Sequence, residues 1–103
     1  MKQPLNINKT FPKKSLGQNF IHDNNFILKL SSLIESDPST NIIEVGPGEG
    51  ALSDKLSKKK FKNLFLIEKD LRLSNILKDR FKDDKNIILI NDDALTCNYK
   101  EMN

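Results

Sequence analysis

The sequence is poor in the residues that staple or loosen a chain. It has one cysteine, one histidine, no tryptophan, four glycines and four prolines among 103 residues. A lone cysteine, Cys97, excludes an internal disulfide framework and fits a reducing cytosol, so a cytoplasmic location is expected. So little Gly and Pro argues against a flexible low-complexity chain. No apolar run approaches the roughly 20 residues that span a bilayer, so no membrane segment is expected. The N-terminus has no basic stretch leading into an apolar one, so no secretory signal is visible. The length allows one domain at most.

Charge is unevenly placed. Residues 1–30 carry Lys2, Lys9, Lys13, Lys14 and Lys29 against Asp23 alone, a net of +4, whereas residues 31–103 carry 12 basic and 13 acidic side chains. A basic arm ahead of a near-neutral domain suits either a polyanion partner or a solubilising tail.

Pro4 and Pro12 predict an extended arm over residues 1–15, followed by a loop over 15–22. From Asp23, a plausible N-cap, the apolar residues Phe26, Ile27, Leu30, Leu33 and Ile34 recur at helical spacing, and Asp37-Pro38-Ser39 ends that helix. Three short apolar runs, 41–45, 63–67 and 86–90, read as strands buried on both faces. Between them two helices are predicted. One runs from about Glu49 to Lys60 with Leu52 and Leu56 on its inner face, the other from about Leu71 to Phe81 with Leu73, Ile76, Leu77 and Phe81. The alternation implies βαβ crossovers and a parallel α/β sheet with flanking helices. Only three strands are present, fewer than a doubly wound domain uses, and the chain reads as the front half of one.

Three features of this frame carry chemistry. The first is Ile42-Ile43-Glu44-Val45-Gly46-Pro47-Gly48-Glu49-Gly50, a strand running into a glycine-rich turn and a helix. Glycine there lets backbone turn tightly and approach a ligand. The spacing is G-x-G-x-G rather than the G-x-G-x-x-G of nicotinamide enzymes, and Glu49 would repel a pyrophosphate, so a ligand without phosphates fits better. A tight turn with no ligand is the alternative. The second is Glu68, which closes the second strand 22 residues after Gly46 and is placed to accept hydrogen bonds from both hydroxyls of a ribose. The alternative is a solvated strand end. The third is Asp92-Asp93-Ala94 after the third strand, where a carboxylate can accept from the amine of adenine or cap a helix.

Taken in order, Lys13-Lys14-Ser15-Leu16-Gly17-Gln18-Asn19-Phe20-Ile21, Glu44 to Gly50, Ile67-Glu68-Lys69-Asp70 and Asp93-Ala94-Leu95 resemble the N-terminal part of the ribosomal RNA adenine dimethyltransferases. These enzymes dimethylate two adjacent adenines near the 3′ end of small-subunit rRNA. The resemblance covers most of residues 13–96. It implies a Rossmann-like class I methyltransferase fold with S-adenosylmethionine as cofactor and small-subunit rRNA, or the immature small ribosomal subunit, as partner. It implies no metal. By resemblance, Asn19 and the Ile21 backbone contact the methionine end of the cofactor and Gly46 passes close under it. Glu68 holds the ribose hydroxyls, Asp93 the adenine amine, and Lys13 and Lys14 lie near RNA. Residues 1–22 would form a basic arm and cofactor-contacting loop, and 23–103 the N-terminal half of the cofactor domain.

The family's catalytic motif, Asn-Leu-Pro-Tyr or a close variant, does not occur in these residues and is expected beyond Asn103. An adenine amine is a poor nucleophile that must be held in geometry for attack and stacked. The chain alone is therefore expected to bind cofactor and to transfer no methyl group. Other readings stay open: a macrolide-resistance type large-subunit rRNA adenine methyltransferase, a non-catalytic RNA-binding assembly factor on the same fold, and a nicotinamide oxidoreductase, which the glycine spacing and Glu49 oppose. Lys58-Lys59-Lys60 and Lys62 read as a basic cluster suited to the C-terminus of their own helix. His22 reads as helix entry, with ligand contact as the alternative, and Cys97 reads as a spectator.

Overall fold

Helix α1, Asn24–Leu33, begins where its cap predicts: Asp23 Oδ1 accepts the N–H groups of Asn25 at 2.9 Å and Phe26 at 3.1 Å. It ends at Leu33, four residues before the Asp37-Pro38-Ser39 expected to stop it, because Ile34 turns to extended backbone at φ −88° and ψ 111°. Ile27 and Ser31 form its buried face, so Leu33, about 200° further round from Ser31, points outward and is 76% exposed. The computed structural model describes residues 23–102. The expectations for Lys13, Lys14, Asn19, Ile21 and His22, and the placing of a catalytic motif beyond Asn103, lie outside the described residues.

Strands β1 (Asn41–Val45), β2 (Asn63–Ile67) and β3 (Ile87–Ile90) form a parallel sheet in the order β1-β2-β3. Ile43 lies beside Phe65 and Phe65 beside Ile88; one pleat on, Val45, Ile67 and Ile90 are aligned. Helices α2 (Ala51–Leu56) and α3 (Leu71–Arg80) make the two crossovers. They pack on one face, where Ile42, Leu64, Leu66 and Ile87 meet Leu56, Leu77 and Phe81. On the other face Phe65 and Ile67 lie under Met102, from a short 3₁₀ turn over Tyr99–Met102 that Asn41 Nδ2 ties down through the Met102 carbonyl at 2.8 Å. Among the described residues no helix is long and apolar enough to cross a membrane.

Burial on both faces holds for β2 alone. Leu64, Phe65, Leu66 and Ile67 are 0–6% exposed, whereas Ile43 and Val45 are 42% and 58% exposed. The reason is position: β2 has a neighbour on each side and a cover on each face. β1 has no partner on its outer edge among the described residues, and the 3₁₀ turn covers only the middle of the second face.

Both crossover helices differ from their predicted extents or faces. α2 is six residues long rather than the predicted 49–60. Gly50, left-handed at φ 89°, is its N-cap, and the chain closes behind it with tight bonds from Lys58 N–H to the Lys55 carbonyl and Lys59 N–H to the Leu56 carbonyl. Lys59 Nζ donates to the Ser31 carbonyl at 3.0 Å, so it caps α1 rather than its own helix. In α3 the buried positions are Ser74 and Leu77, followed by Phe81, and Ile76, about 100° off that line, is 47% exposed.

Candidate functional site

The C-terminal ends of all three parallel strands lie on one edge of the sheet, the edge where ligands bind in such folds. Past β1 the chain keeps pairing for one residue, Gly46 N–H donating to the Ile67 carbonyl at 2.9 Å. It then turns through Gly46, Gly48 and Gly50, all at positive φ. At Gly46, φ 69°, an added Cβ would meet nothing within 4 Å, so the space above this residue is open while its backbone still favours glycine. At Gly50, φ 89°, a Cβ would collide with Arg80 Nη1 and lie 2.7 Å from Leu77 Cδ2. The first glycine faces free space; the third makes room for α3.

Glu68 is buried, 7% exposed, at the end of β2. Its Oε1 accepts Gly48 N–H at 3.0 Å and its Oε2 accepts Asp70 N–H at 2.9 Å. The carboxylate therefore bridges the glycine turn to the loop that starts α3. A carboxylate offers about four acceptor sites, and two are used here. A solvated strand end is excluded: this side chain is buried and held by two backbone donors.

Asp93 follows β3. Its Oδ1 accepts Leu95 N–H at 2.9 Å, and its carbonyl accepts Thr96 N–H at 3.0 Å and Cys97 N–H at 2.9 Å. No helix starts here, so Asp93 caps a turn rather than the helix that the sequence alternative expected. One oxygen organises the turn, and Oδ2 has no partner among the described residues. Asp92 Oδ1 accepts Asp93 N–H at 2.7 Å and takes part only in holding this turn.

Sequence reasoning placed Glu44 within the glycine-turn motif but gave no role to it, nor to Asn91, Ser53 or Arg80. Asn91 Nδ2 donates to the carbonyls of Glu68 at 3.0 Å and Lys69 at 3.1 Å, so the end of β3 grips the loop carrying Glu68. Its one sequence signal is that it is the first polar residue after an apolar strand. Glu44 interrupts an apolar strand, which is a signal in itself. Ser53 Oγ, fully buried on α2, donates to Glu44 Oε1 at 2.6 Å. Desolvation raises the Glu44 carboxyl to about 7; Asp54 and Glu68 add to the rise and the Ser53 bond opposes it. Glu44 is therefore poised near neutrality beneath the glycine turn. Arg80 reaches from α3 to the same turn, Nη1 donating to the Glu49 carbonyl at 2.6 Å.

Cys97 packs beside the Phe65, Ile67 and Met102 cluster, and desolvation with nearby Asp92 and Glu101 raises its thiol pKa. A protonated thiol is a poor nucleophile, which fits a spectator.

The fit to a nucleoside cofactor rests on the chemistry of these donors and acceptors. A fixed buried carboxylate, an open glycine and a free carboxylate oxygen follow β2, β1 and β3 on one sheet edge. Comparison with known proteins bears on the same segments. The chain is 43% identical over 89 residues to a ribosomal RNA small subunit methyltransferase A from Staphylococcus carnosus, covering 86% of this chain and 30% of that protein. In structure it resembles the 23S rRNA methyltransferase ErmE, with a TM-score of 0.66 and 30% identity over 74% of this chain and 31% of that one. It also resembles the N-methyltransferase NodS from Bradyrhizobium japonicum WM9 in complex with S-adenosyl-L-homocysteine, with a TM-score of 0.59 and 25% identity over 73% of this chain and 37% of that one. The chain spans less than a third of the length of the curated relatives it matches. The family model for ribosomal RNA adenine dimethylase matches residues 9–103, from within the basic arm through the glycine turn, Glu68 and Asp93, and the chain belongs to that family.

Proposed function

We propose that the chain supplies the cofactor-binding half of an S-adenosylmethionine-dependent rRNA adenine N6-dimethyltransferase. The substrate would be two adjacent adenines near the 3′ end of small-subunit rRNA, met in the immature small ribosomal subunit. The observation that carries the reading is Glu68, a buried carboxylate after β2 held by two backbone N–H groups and with acceptor capacity left over.

Bound S-adenosylmethionine supplies a sulfonium methyl, an electrophile activated before it arrives. The residues of this chain position it. Glu68 accepts both ribose hydroxyls, Asp93 Oδ2 accepts the adenine amine, and Gly46 leaves room for the cofactor to lie against the backbone. Asn19 and the Ile21 backbone take the methionine end, and Lys13 and Lys14 meet RNA phosphates. The Asn-Leu-Pro-Tyr motif that would hold the target amine does not occur in residues up to Asn103, so no catalytic group is assigned here. Small-subunit rRNA is favoured over large-subunit rRNA by the name and the 43% identity of the Staphylococcus carnosus relative.

The test is transfer of labelled methyl from S-adenosylmethionine by the full-length protein to small- and large-subunit rRNA in parallel. Dimethyladenosine in small-subunit rRNA alone is expected. Label in large-subunit rRNA alone would move the protein to the macrolide-resistance type, and tight cofactor binding with no transfer to either would favour an assembly factor.

A further inference from the structure

Arg80 ends α3, remote in sequence from the glycine turn, yet it is the side chain that closes over it. Its Nη1 donates to the Glu49 carbonyl at 2.6 Å and lies 3.6 Å from Asp54 Oδ1 on α2. The guanidinium thus spans the residue before the N-cap of α2 and the helix itself. Gly50 lies between these two partners, and a Cβ on it would strike Arg80 Nη1 and Leu77 Cδ2. The third glycine of the turn is there to admit this side chain. With Glu68 holding Gly48 N–H from β2 and Ser53 holding Glu44 from α2, the turn is fixed from three directions, and Arg80 is the only one of the three braces that comes from α3.

We propose that Arg80 is a positioning residue for the cofactor turn: it holds the Glu49 carbonyl and Asp54 so that Gly46–Gly50 keeps its binding conformation before ligand arrives. The inference rests on the reading that this turn binds S-adenosylmethionine, and the role assigned to Arg80 is exerted through the turn. It fixes a carbonyl that an unbraced turn would have to immobilise on binding, and preorganisation of this kind acts on affinity rather than on the chemical step.

The experiment compares full-length wild type with Arg80→Met and Arg80→Lys. The probes are S-adenosyl-L-homocysteine binding by calorimetry, steady-state methylation of small-subunit rRNA and thermal melting. Arg80→Met should weaken cofactor binding about tenfold, the scale of one hydrogen bond to a charged group. It should raise KM for S-adenosylmethionine in step, with kcat and the KM for RNA held. Arg80→Lys, which keeps a cation able to donate to the Glu49 carbonyl, should recover most of the loss. A purely structural role would lower the melting temperature and leave the affinity of the folded protein unchanged. Binding and KM within twofold of wild type in both variants, or a fall in kcat at constant KM, would overturn the proposal. Should Arg80→Met fail to fold, Arg80→Gln takes its place in the same comparison, with the same expected and overturning results. A wild-type protein that binds no S-adenosyl-L-homocysteine would instead overturn the cofactor reading itself.

Discussion

Replacing Glu68 by glutamine separates its two duties. The carboxylate accepts Gly48 N–H at 3.0 Å through Oε1 and Asp70 N–H at 2.9 Å through Oε2. Glutamine keeps the shape but has one oxygen, so one of these N–H groups must face an NH₂ donor. Leaving a buried donor unsatisfied costs about 1–3 kcal/mol, which sets the expected loss of folding stability. The ribose bonds add a separate loss. Two bonds to a charged acceptor at about 1.5–3 kcal/mol each give a ceiling of about 3–6 kcal/mol. Water filling the vacated positions lowers the observed loss in affinity to about 2–4 kcal/mol. Glu68→Ala should show the same affinity loss with a larger stability loss, because both loop bonds disappear and the buried site empties. Calorimetry with S-adenosyl-L-homocysteine reads the first quantity and urea midpoints the second. A stability loss of the expected size with less than a threefold change in affinity would leave Glu68 as a loop brace only and remove it from the cofactor site.

Four further outcomes follow from the same geometry. Glu44, raised to about 7, keeps a proton in the folded state that the unfolded chain releases from about 4.5 upward. Stability should therefore fall by up to about 3 kcal/mol as pH rises through that window and level off above it; Glu44→Gln, which still accepts from Ser53, should flatten the slope, and equal slopes in urea titrations would refute the assignment. Gly46→Ala should cost only the left-handed backbone strain, about 1–2 kcal/mol, since its methyl meets no protein atom, yet should weaken cofactor binding; unchanged binding would mean the cofactor does not pass under Gly46. Replacing Lys13 and Lys14 by Ala should lower the slope of log K for RNA against log salt by about 0.7–0.9 for each lysine that meets a phosphate and leave cofactor affinity alone; an unchanged slope returns the arm to a solubilising tail. Residues 1–103 expressed alone should self-associate through the outer edge of β1, where Ile43 and Val45 are exposed, and transfer no methyl group; a soluble monomer with cooperative melting, or methyl transfer to rRNA, would contradict this.

What the sequence could reveal was whatever repeats locally. Apolar runs of four or five residues alternating with helical spacing were enough for a parallel βαβαβ unit, and Asp23 was legible as a cap because its partners are two and three residues away. Glu68 was legible as a candidate because its distance from Gly46 is set by one crossover, and the structure buries it and bonds it to the glycine turn. Local pattern failed wherever a third element decides. Ile43 and Leu64 look alike in sequence, but one faces the thinly covered side of an outer strand and the other a core closed by α2 and α3. α2 was overestimated because the residues that end it are helix formers, and Lys59 leaves to cap α1, 28 positions back. The bond from Arg80 to the Glu49 carbonyl crosses 31 positions and depends on how α3 lies over the turn. The candidate site shows the same division. The groups proposed to face a ligand follow the strand ends and could be read directly. The groups that hold them, Asn91 on the Glu68 loop, Ser53 on Glu44 and Arg80 on Glu49, reach in from neighbouring elements. Glu68 is proposed for both sets, because the carboxylate assigned to a ribose is the one that accepts Gly48 N–H. On the proposed reading, binding at this edge and rigidity of the turn meet in one side chain, which is why affinity and stability have to be read separately for any substitution of Glu68.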